Sequence, residues 1–313
     1  MLSALLFMLA GFVLLTGGAE GLVRGAASLA RRAGLSPLVI GLTVVALGTS
    51  APELVVSVGA ALDGNGALAI GNVVGSNIAN IGLILGVSAL LSALHVQAQV
   101  IRFDMPILSA VTLGMGVLLV DGQVVQWEGA LLVTGLIAYV ALSIRWARAE
   151  PATAVQVEFD EGLPVQHRWG TDALLVGVGL AGLVGGARLL VDGAVTLAIL
   201  LDVDRVIIGL TVVAIGTSLP ELATSMVAAW RGEGDIAVGN AVGSCVFNLL
   251  GILGVTALVH PLGTGGLSVV DAAVMLGMTL FLLPLMRTGS TLSRAEGGVL
   301  LAVYAGYITY LVT

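Results

Sequence analysis

Apolar runs of about twenty residues recur along the chain, separated by short polar breaks. A membrane-crossing helix needs about 20 mostly apolar residues. The pattern predicts ten such spans, at 2–27, 36–60, 66–91, 103–120, 125–147, 171–197, 205–230, 235–259, 267–286 and 293–312. Turns such as Asp63-Gly64-Asn65-Gly66 and Asp121-Gly122 punctuate them. The one long polar break is 148–170, with Glu150, Pro151, Glu158, Asp160, Glu161, Pro164, His167 and Arg168. It reads as a linker between two halves, 1–147 and 171–313. The first span has no basic flank, and its apolar stretch runs on past residue 16, so it reads as a mature helix rather than a signal peptide.

Composition agrees. Of 313 residues 58% are hydrophobic and 10% charged, with mean hydropathy +1.10. Soluble domains carry about 25% charged residues, so this chain could not coat a globular surface. The net charge of -7, from a chain with no lysine, argues against nucleic acid as a partner. A single cysteine, Cys245, excludes a disulfide framework. Abundant glycine, 44 residues, suits helices packed closely in lipid. With the N-terminus outside, ten arginines fall at cytoplasmic ends and only Arg188 and Arg205 on the outer side. The positive-inside bias thus predicts both termini outside and a cytoplasmic linker.

The halves repeat. Residues 41–58 read GLTVVALGTSAPELVVSV and residues 209–226 read GLTVVAIGTSLPELATSM, identical at thirteen of eighteen positions with an offset of 168. The same offset aligns GNVVGSNIANIGLILG (71–86) with GNAVGSCVFNLLGILG (239–254). Five spans per half is an odd number, so the halves enter the membrane in opposite senses. The predicted fold is therefore all-α, ten transmembrane helices in two inverted-topology five-helix repeats. Such repeats are a hallmark of secondary transporters with a site near the midplane.

The chemistry lies in the repeated motifs, 41–86 and 209–254. Glu53 and Glu221 sit at equivalent places along apolar spans. A charge there costs at least about 2.5–3.5 kcal/mol on insertion scales and marks function. Pro52 and Pro220 remove a backbone N–H, so helices 2 and 7 should break at Gly-Thr-Ser-x-Pro-Glu and expose carbonyl oxygens. Thr49, Ser50, Thr217 and Ser218 add hydroxyls. Ser76 and Asn80, like Ser244 and Asn248, are four apart and share a helix face. Asn72 and Asn240 lie nearer the helix starts, where capping or packing is the alternative to a ligand role. This all-oxygen inventory suits a hard cation, and the absence of His and Cys clusters from the motifs argues against Zn or Cu. His95, His167 and His260 read as loop histidines. Glu20 and its repeat mate Arg188 read as structural charges near helix ends, pairing between them being the alternative. Asp192 and Asp271 read as interfacial.

Two ionised glutamates would carry -2, balanced by one Ca²⁺ or two Na⁺. A third Na⁺ on neutral oxygens would make exchange electrogenic, and each net charge moved is worth about 2.3 kcal/mol per 100 mV.

The motifs Gly-x-Thr-x-x-Ala-x-Gly-Thr-Ser-x-Pro-Glu and Gly-Asn-x-x-Gly-Ser-x-x-x-Asn, each present twice, resemble the α-repeats of the cation/Ca²⁺ antiporter superfamily, above all its prokaryotic sodium/calcium exchangers. The resemblance implies Ca²⁺ and Na⁺ competing as transported ions at one central cluster, with no cofactor and no enzymatic activity. It implies Glu53 and Glu221 as central ligands, backbone carbonyls of Thr49 and Thr217 on Ca²⁺, and carbonyls of Ala46 and Ala214 on flanking Na⁺. Ser50, Ser76, Ser218 and Ser244 would add oxygens, and Asn80 and Asn248 would complete the middle. The first and sixth helices would slide across this core.

Asn248 stands where K⁺-dependent relatives carry Asp, which favours K⁺-independence. The third helix lacks the Glu shortly after Gly-Asn that is typical of the proton-coupled branch, leaving H⁺/Ca²⁺ exchange as the alternative. The linker is too short for a regulatory Ca²⁺-binding domain. A membrane-embedded hydrolase lacks its motifs here, and a channel suits an inverted repeat with broken helices less well. The expectation is a monomeric antiporter of a prokaryotic inner membrane, with the lipid bilayer as its surroundings.

Overall fold

The apolar runs form helices because lipid offers backbone N–H and C=O groups no partner, so each span must satisfy its own. The computed structural model describes residues 2–118, 122–149, 169–201, 214–263 and 268–312. Residues 150–168 of the expected linker 148–170, His167 among them, and residues 205–213 of the expected span 205–230 lie outside these residues, while 148–149 and 169–170 belong to the flanking helices.

The helices are α1 (Leu2–Ala33), α2 (Pro37–Thr49), α3 (Ala51–Leu62), α4 (Gly66–Leu91), α5 (Val100–Leu118) and α6 (Gln126–Ala149). They continue with α7 (Trp169–Leu200), α8 (Ala214–Thr217), α9 (Leu219–Trp230), α10 (Gly234–Val259), α11 (Val269–Arg287) and α12 (Arg294–Val312). Among the described residues seven helices are long and apolar enough to cross a membrane, or eight if the bent pair α2–α3 counts as one span. The protein is an all-α membrane protein.

Large apolar side chains such as Leu5, Phe12, Leu131, Ile137 and Phe281 face outward, as expected of a surface solvated by lipid. The core is built differently. Most of α4 and α10 is buried, 78% and 83% of their apolar windows against 28% for α1, α6 and α11. These two helices form the centre around which the others pack.

α1 and α7 run antiparallel in close contact, with Gly21 beside Gly179 and Gly11 beside Gly186. A Cβ added to Gly18 would stand 2.7 Å from the backbone nitrogen of Leu183. Glycine therefore sets this approach, as small residues do in membrane helix pairs.

Among the described residues four two-residue strands tie the loops. β1 (Leu94–His95) pairs antiparallel with β4 (Thr291–Leu292), and β2 (Gln123–Val124) with β3 (Leu262–Gly263). The offset of 168 carries β1 onto β3 and β2 onto β4, so it exchanges the two ribbons. The internal repeat is thus expressed in tertiary pairing as well as in sequence.

Candidate functional site

Two helix breaks build the site. Pro52 has no N–H to give the carbonyl of Gly48, and the chain turns at Ser50 (φ -81°, ψ 7°), with a bend of 45° between α2 and α3. At the equivalent place Ser218 adopts φ -89°, ψ 6° before Pro220. Glu53 and Glu221 follow in the first turns of α3 and α9. The positive end of a helix dipole moderates the cost of a carboxylate held there.

Both glutamates are buried, each only 1% exposed. They cross between halves. The Ser50 hydroxyl donates to Glu221 Oε1 at 2.9 Å and lies 3.1 Å from Ser244 Oγ. The Ser218 hydroxyl donates to Glu53 Oε1 at 3.3 Å. Asn72 and Asn240 hold the two glutamate backbones from behind. Asn72 Nδ2 donates to the Glu53 carbonyl at 3.2 Å and to Ser57 Oγ at 2.9 Å. Asn240 Nδ2 donates to the Glu221 carbonyl at 3.2 Å and to Ser225 Oγ at 2.9 Å. Both amides thus brace the broken helices. Asn240 Oδ1 also lies 3.1 Å from Thr49 Oγ1 and links the halves.

Asn80 and Asn248 are buried on α4 and α10, where the helices widen into π turns at Asn80–Ile84 and Phe247–Ile252. Such turns concentrate at functional sites. Asn248 Nδ2 donates to Asn77 Oδ1 at 3.1 Å. Four buried oxygens of this region, Glu53 Oε2, Glu221 Oε2, Asn80 Oδ1 and Asn248 Oδ1, accept no hydrogen bond from the protein. Buried polar atoms are normally paired, and leaving them bare costs about 1–3 kcal/mol each, more when charged. Carboxylate and amide oxygens of this kind are the ligands that hard cations take. Among the described residues no three His, Cys, Asp or Glu side chains converge. Two carboxylates supply the charge, with amides and hydroxyls around them.

The remaining expected ligands are placed as follows. Ser76 and Ser244 are buried on α4 and α10. Thr49 is buried, and Thr217 lies half-buried at the end of α8, lining a cleft of about 160 Å³. The Ala46 carbonyl accepts from Ser50 N at 3.0 Å, so in this conformation it closes a helical turn. Ala214 opens α8. His95 and His260 are exposed beside the loops.

Three features escaped the sequence. Asn77 is one, because its repeat mate is Cys245. A second is a buried Asp104, whose Oδ1 accepts from Tyr139 OH at 3.0 Å. The third concerns Glu20, which pairs with Arg24 and Arg231 rather than with Arg188.

This arrangement has counterparts in known proteins. A family model described as sodium/calcium exchanger protein matches residues 3–145 and 171–313. The chain belongs to the sodium/calcium exchanger family. The chain is 42% identical to the antiporter CaxA of Alkalimonas amylolytica over 98% of both chains. It is 34% identical to the sodium/calcium exchanger MaX1 of Methanosarcina acetivorans, covering 84% of this chain and 85% of that one. Among solved structures, the sodium-calcium exchanger NCX_Mj soaked with Na⁺ and Sr²⁺ superposes with a TM-score of 0.87 at 33% identity, over 99% of this chain and 98% of that one.

Proposed function

We propose that the protein is a secondary active antiporter that exchanges Na⁺ for Ca²⁺ by alternating access, the ions competing at the Glu53–Glu221 cluster. The observation that carries this reading is the set of four buried, acceptor-only oxygens, two from each half: the Glu53 and Glu221 carboxylates at the crossed helix breaks, and the Asn80 and Asn248 amides at the π turns of α4 and α10. A charge of -2 matches one Ca²⁺ or two Na⁺. Neither ion can bind in full while the other holds the carboxylates, which couples the two fluxes. Thr49, Thr217, Ser50, Ser218, Ser76 and Ser244 complete the ligand set, with carbonyls of Ala46 and Ala214 serving flanking Na⁺. The names of MaX1 and NCX_Mj support the choice of ions.

Ten spans in two inverted repeats, 1–147 and 171–313, joined by a cytoplasmic linker at 148–170, form the scaffold. The antiparallel course of α1 and α7, and the exchange of the two strand ribbons by one offset, support the inversion. The arginine bias supports an orientation with both termini outside a prokaryotic inner membrane, in which the protein acts as a monomer.

The test is ⁴⁵Ca²⁺ uptake by proteoliposomes loaded with Na⁺ and diluted into Na⁺-free buffer, beside K⁺-loaded and pH-gradient controls. Uptake that requires internal Na⁺ supports the reading. Uptake driven instead by the proton gradient replaces it with H⁺/Ca²⁺ exchange.

A further inference from the structure

The two halves carry a charge pattern that the ion site does not use. On α1, Glu20 and Arg24 are one turn apart, and Glu20 also pairs with Arg231 at the end of α9. The offset of 168 carries Glu20 to Arg188, Arg24 to Asp192 and Arg231 to Asp63. All three signs are reversed. The first triad reads plus, minus, plus in the order Arg24, Glu20, Arg231. The second reads minus, plus, minus in the order Asp192, Arg188, Asp63. Each is internally complementary.

Only the first is assembled. α1 packs along α9 where Glu20 meets Arg231, whereas the equivalent pair, α7 and α3, makes no comparable contact. The cleft of about 160 Å³ occupies that second seam. Val55 and Val56 of α3 form one wall, and Arg188 and Asp192 of α7 the other. Beside the ion site it reaches Pro52 and Thr217. Arg188 and Asp63 are exposed, and among the described residues neither is in an ion pair. Asp63 also caps the C-terminus of α3, where the helix dipole disfavours an anion and a cation belongs. Arg231 at the end of α9 has the favourable sign. The two triads lie at different heights. Along the antiparallel pair Gly21 faces Gly179 and Gly11 faces Gly186, which puts Glu20 and Arg188 roughly 14 Å apart at 1.5 Å per residue.

We infer that Glu20–Arg231 and Arg188–Asp63 are alternating latches, positioning residues that close the two seams in turn. In this structure the first latch is shut and the second open, so the cleft at the α3–α7 seam leads to the ions. When α1 and α7 move together against the rest, the first pair parts and Arg188 reaches Asp63. The inference rests on the alternating-access reading. It adds the groups that set the balance between the two states.

A cysteine at Val56, in a Cys245→Ala background, reports the open cleft by its rate of reaction with a polar maleimide in nanodiscs. An exposed ion pair contributes about 0.2–1 kcal/mol, up to about a fivefold change in a two-state balance. Arg231→Gln is expected to slow labelling by up to about fivefold, and adding Asp63→Asn to reverse that slowing. The double charge swap Glu20→Arg with Arg231→Glu restores a complementary pair, at the cost of an anion at the end of α9 and an arginine one turn from Arg24; it is expected to label faster than Arg231→Gln and shows that a slow single variant is not misfolded. Unchanged labelling in Arg231→Gln, or slow labelling that neither Asp63→Asn nor the swap reverses, would overturn the latch. These rates are read without transport. A parent that labels as expected but shows no Na⁺-driven Ca²⁺ uptake would overturn the exchange reading alone.

Discussion

Ser50 and Glu221 stand 171 positions apart, yet the Ser50 hydroxyl donates to the Glu221 carboxylate at 2.9 Å. Ser218 does the same for Glu53, at 3.3 Å. Each glutamate is therefore held by a hydroxyl from the helix break of the opposite half. The proposed ion site therefore lies at the interface of the two repeats, and each half supplies only part of it.

Neutralising the carboxylates should separate function from folding. Glu53→Gln and Glu221→Gln each remove a buried charge whose insertion cost is at least about 2.5 kcal/mol. Na⁺-driven ⁴⁵Ca²⁺ uptake is expected to fall at least about a hundredfold in either variant. Thermal denaturation in detergent without ions is expected at the parental temperature or above it. A variant that melts well below the parent would show the glutamates serving stability instead.

The crossed serines should matter in proportion to their contacts. A hydrogen bond to a charged group is worth about 1.5–3 kcal/mol. Ser50→Ala breaks the shorter bond and also the contact with Ser244, so the half-saturating Ca²⁺ concentration is expected to rise about tenfold. Ser218→Ala should raise it less. Initial uptake rates across a Ca²⁺ series give both values, and the reverse order would contradict the geometry.

Asn72 and Asn240 hold the backbone of Glu53 and Glu221. Asn240→Ala removes two donors and the link to Thr49, leaving the Glu221 carbonyl and Ser225 short of partners. A loss of about 1–3 kcal/mol in stability is expected, read as a lower melting temperature. Asn72→Ala should cost somewhat less, since Asn72 is only partly buried.

A bond that involves none of the proposed ion ligands provides a contrast. Tyr139 joins α6 to the buried Asp104 of α5. Tyr139→Phe is expected to destabilise by about 1–3 kcal/mol, because a buried carboxylate oxygen loses its donor. The half-saturating Na⁺ and Ca²⁺ concentrations should stay within twofold of the parent. A larger change would join this bond to the transport cycle.

Much of this was legible in the sequence, because a single offset of 168 marks every residue that both halves use alike. Glu53, Glu221, Ser50, Ser218, Asn80 and Asn248 all emerged that way, and Pro52 and Pro220 located the breaks. The offset could mark neither asymmetric features nor the local geometry and contacts of the residues that do repeat. Asn77 supports Asn248, but its mate is Cys245, so no duplicated signal pointed to it. The π turns after Asn80 and Val246 depend on how α4 and α10 pack at the centre, which hydrophobic period does not encode. Asn72 and Asn240 had even claims as caps or ligands until their bonds to the glutamate carbonyls assigned them to bracing. Glu20 was judged by its repeat mate, whereas its partner Arg231 is 211 positions away and was chosen by tertiary packing.

The central claim is that Na⁺ and Ca²⁺ compete for one pair of carboxylates. Equilibrium ⁴⁵Ca²⁺ binding to the purified protein, titrated with Na⁺ at constant ionic strength made up with choline, tests it most directly. Na⁺ is expected to displace bound Ca²⁺ completely, more steeply than one ion for one, with no Ca²⁺ bound in the Glu53→Gln variant. Ca²⁺ that stays bound at saturating Na⁺, or binding that survives Glu53→Gln unchanged, would contradict the account.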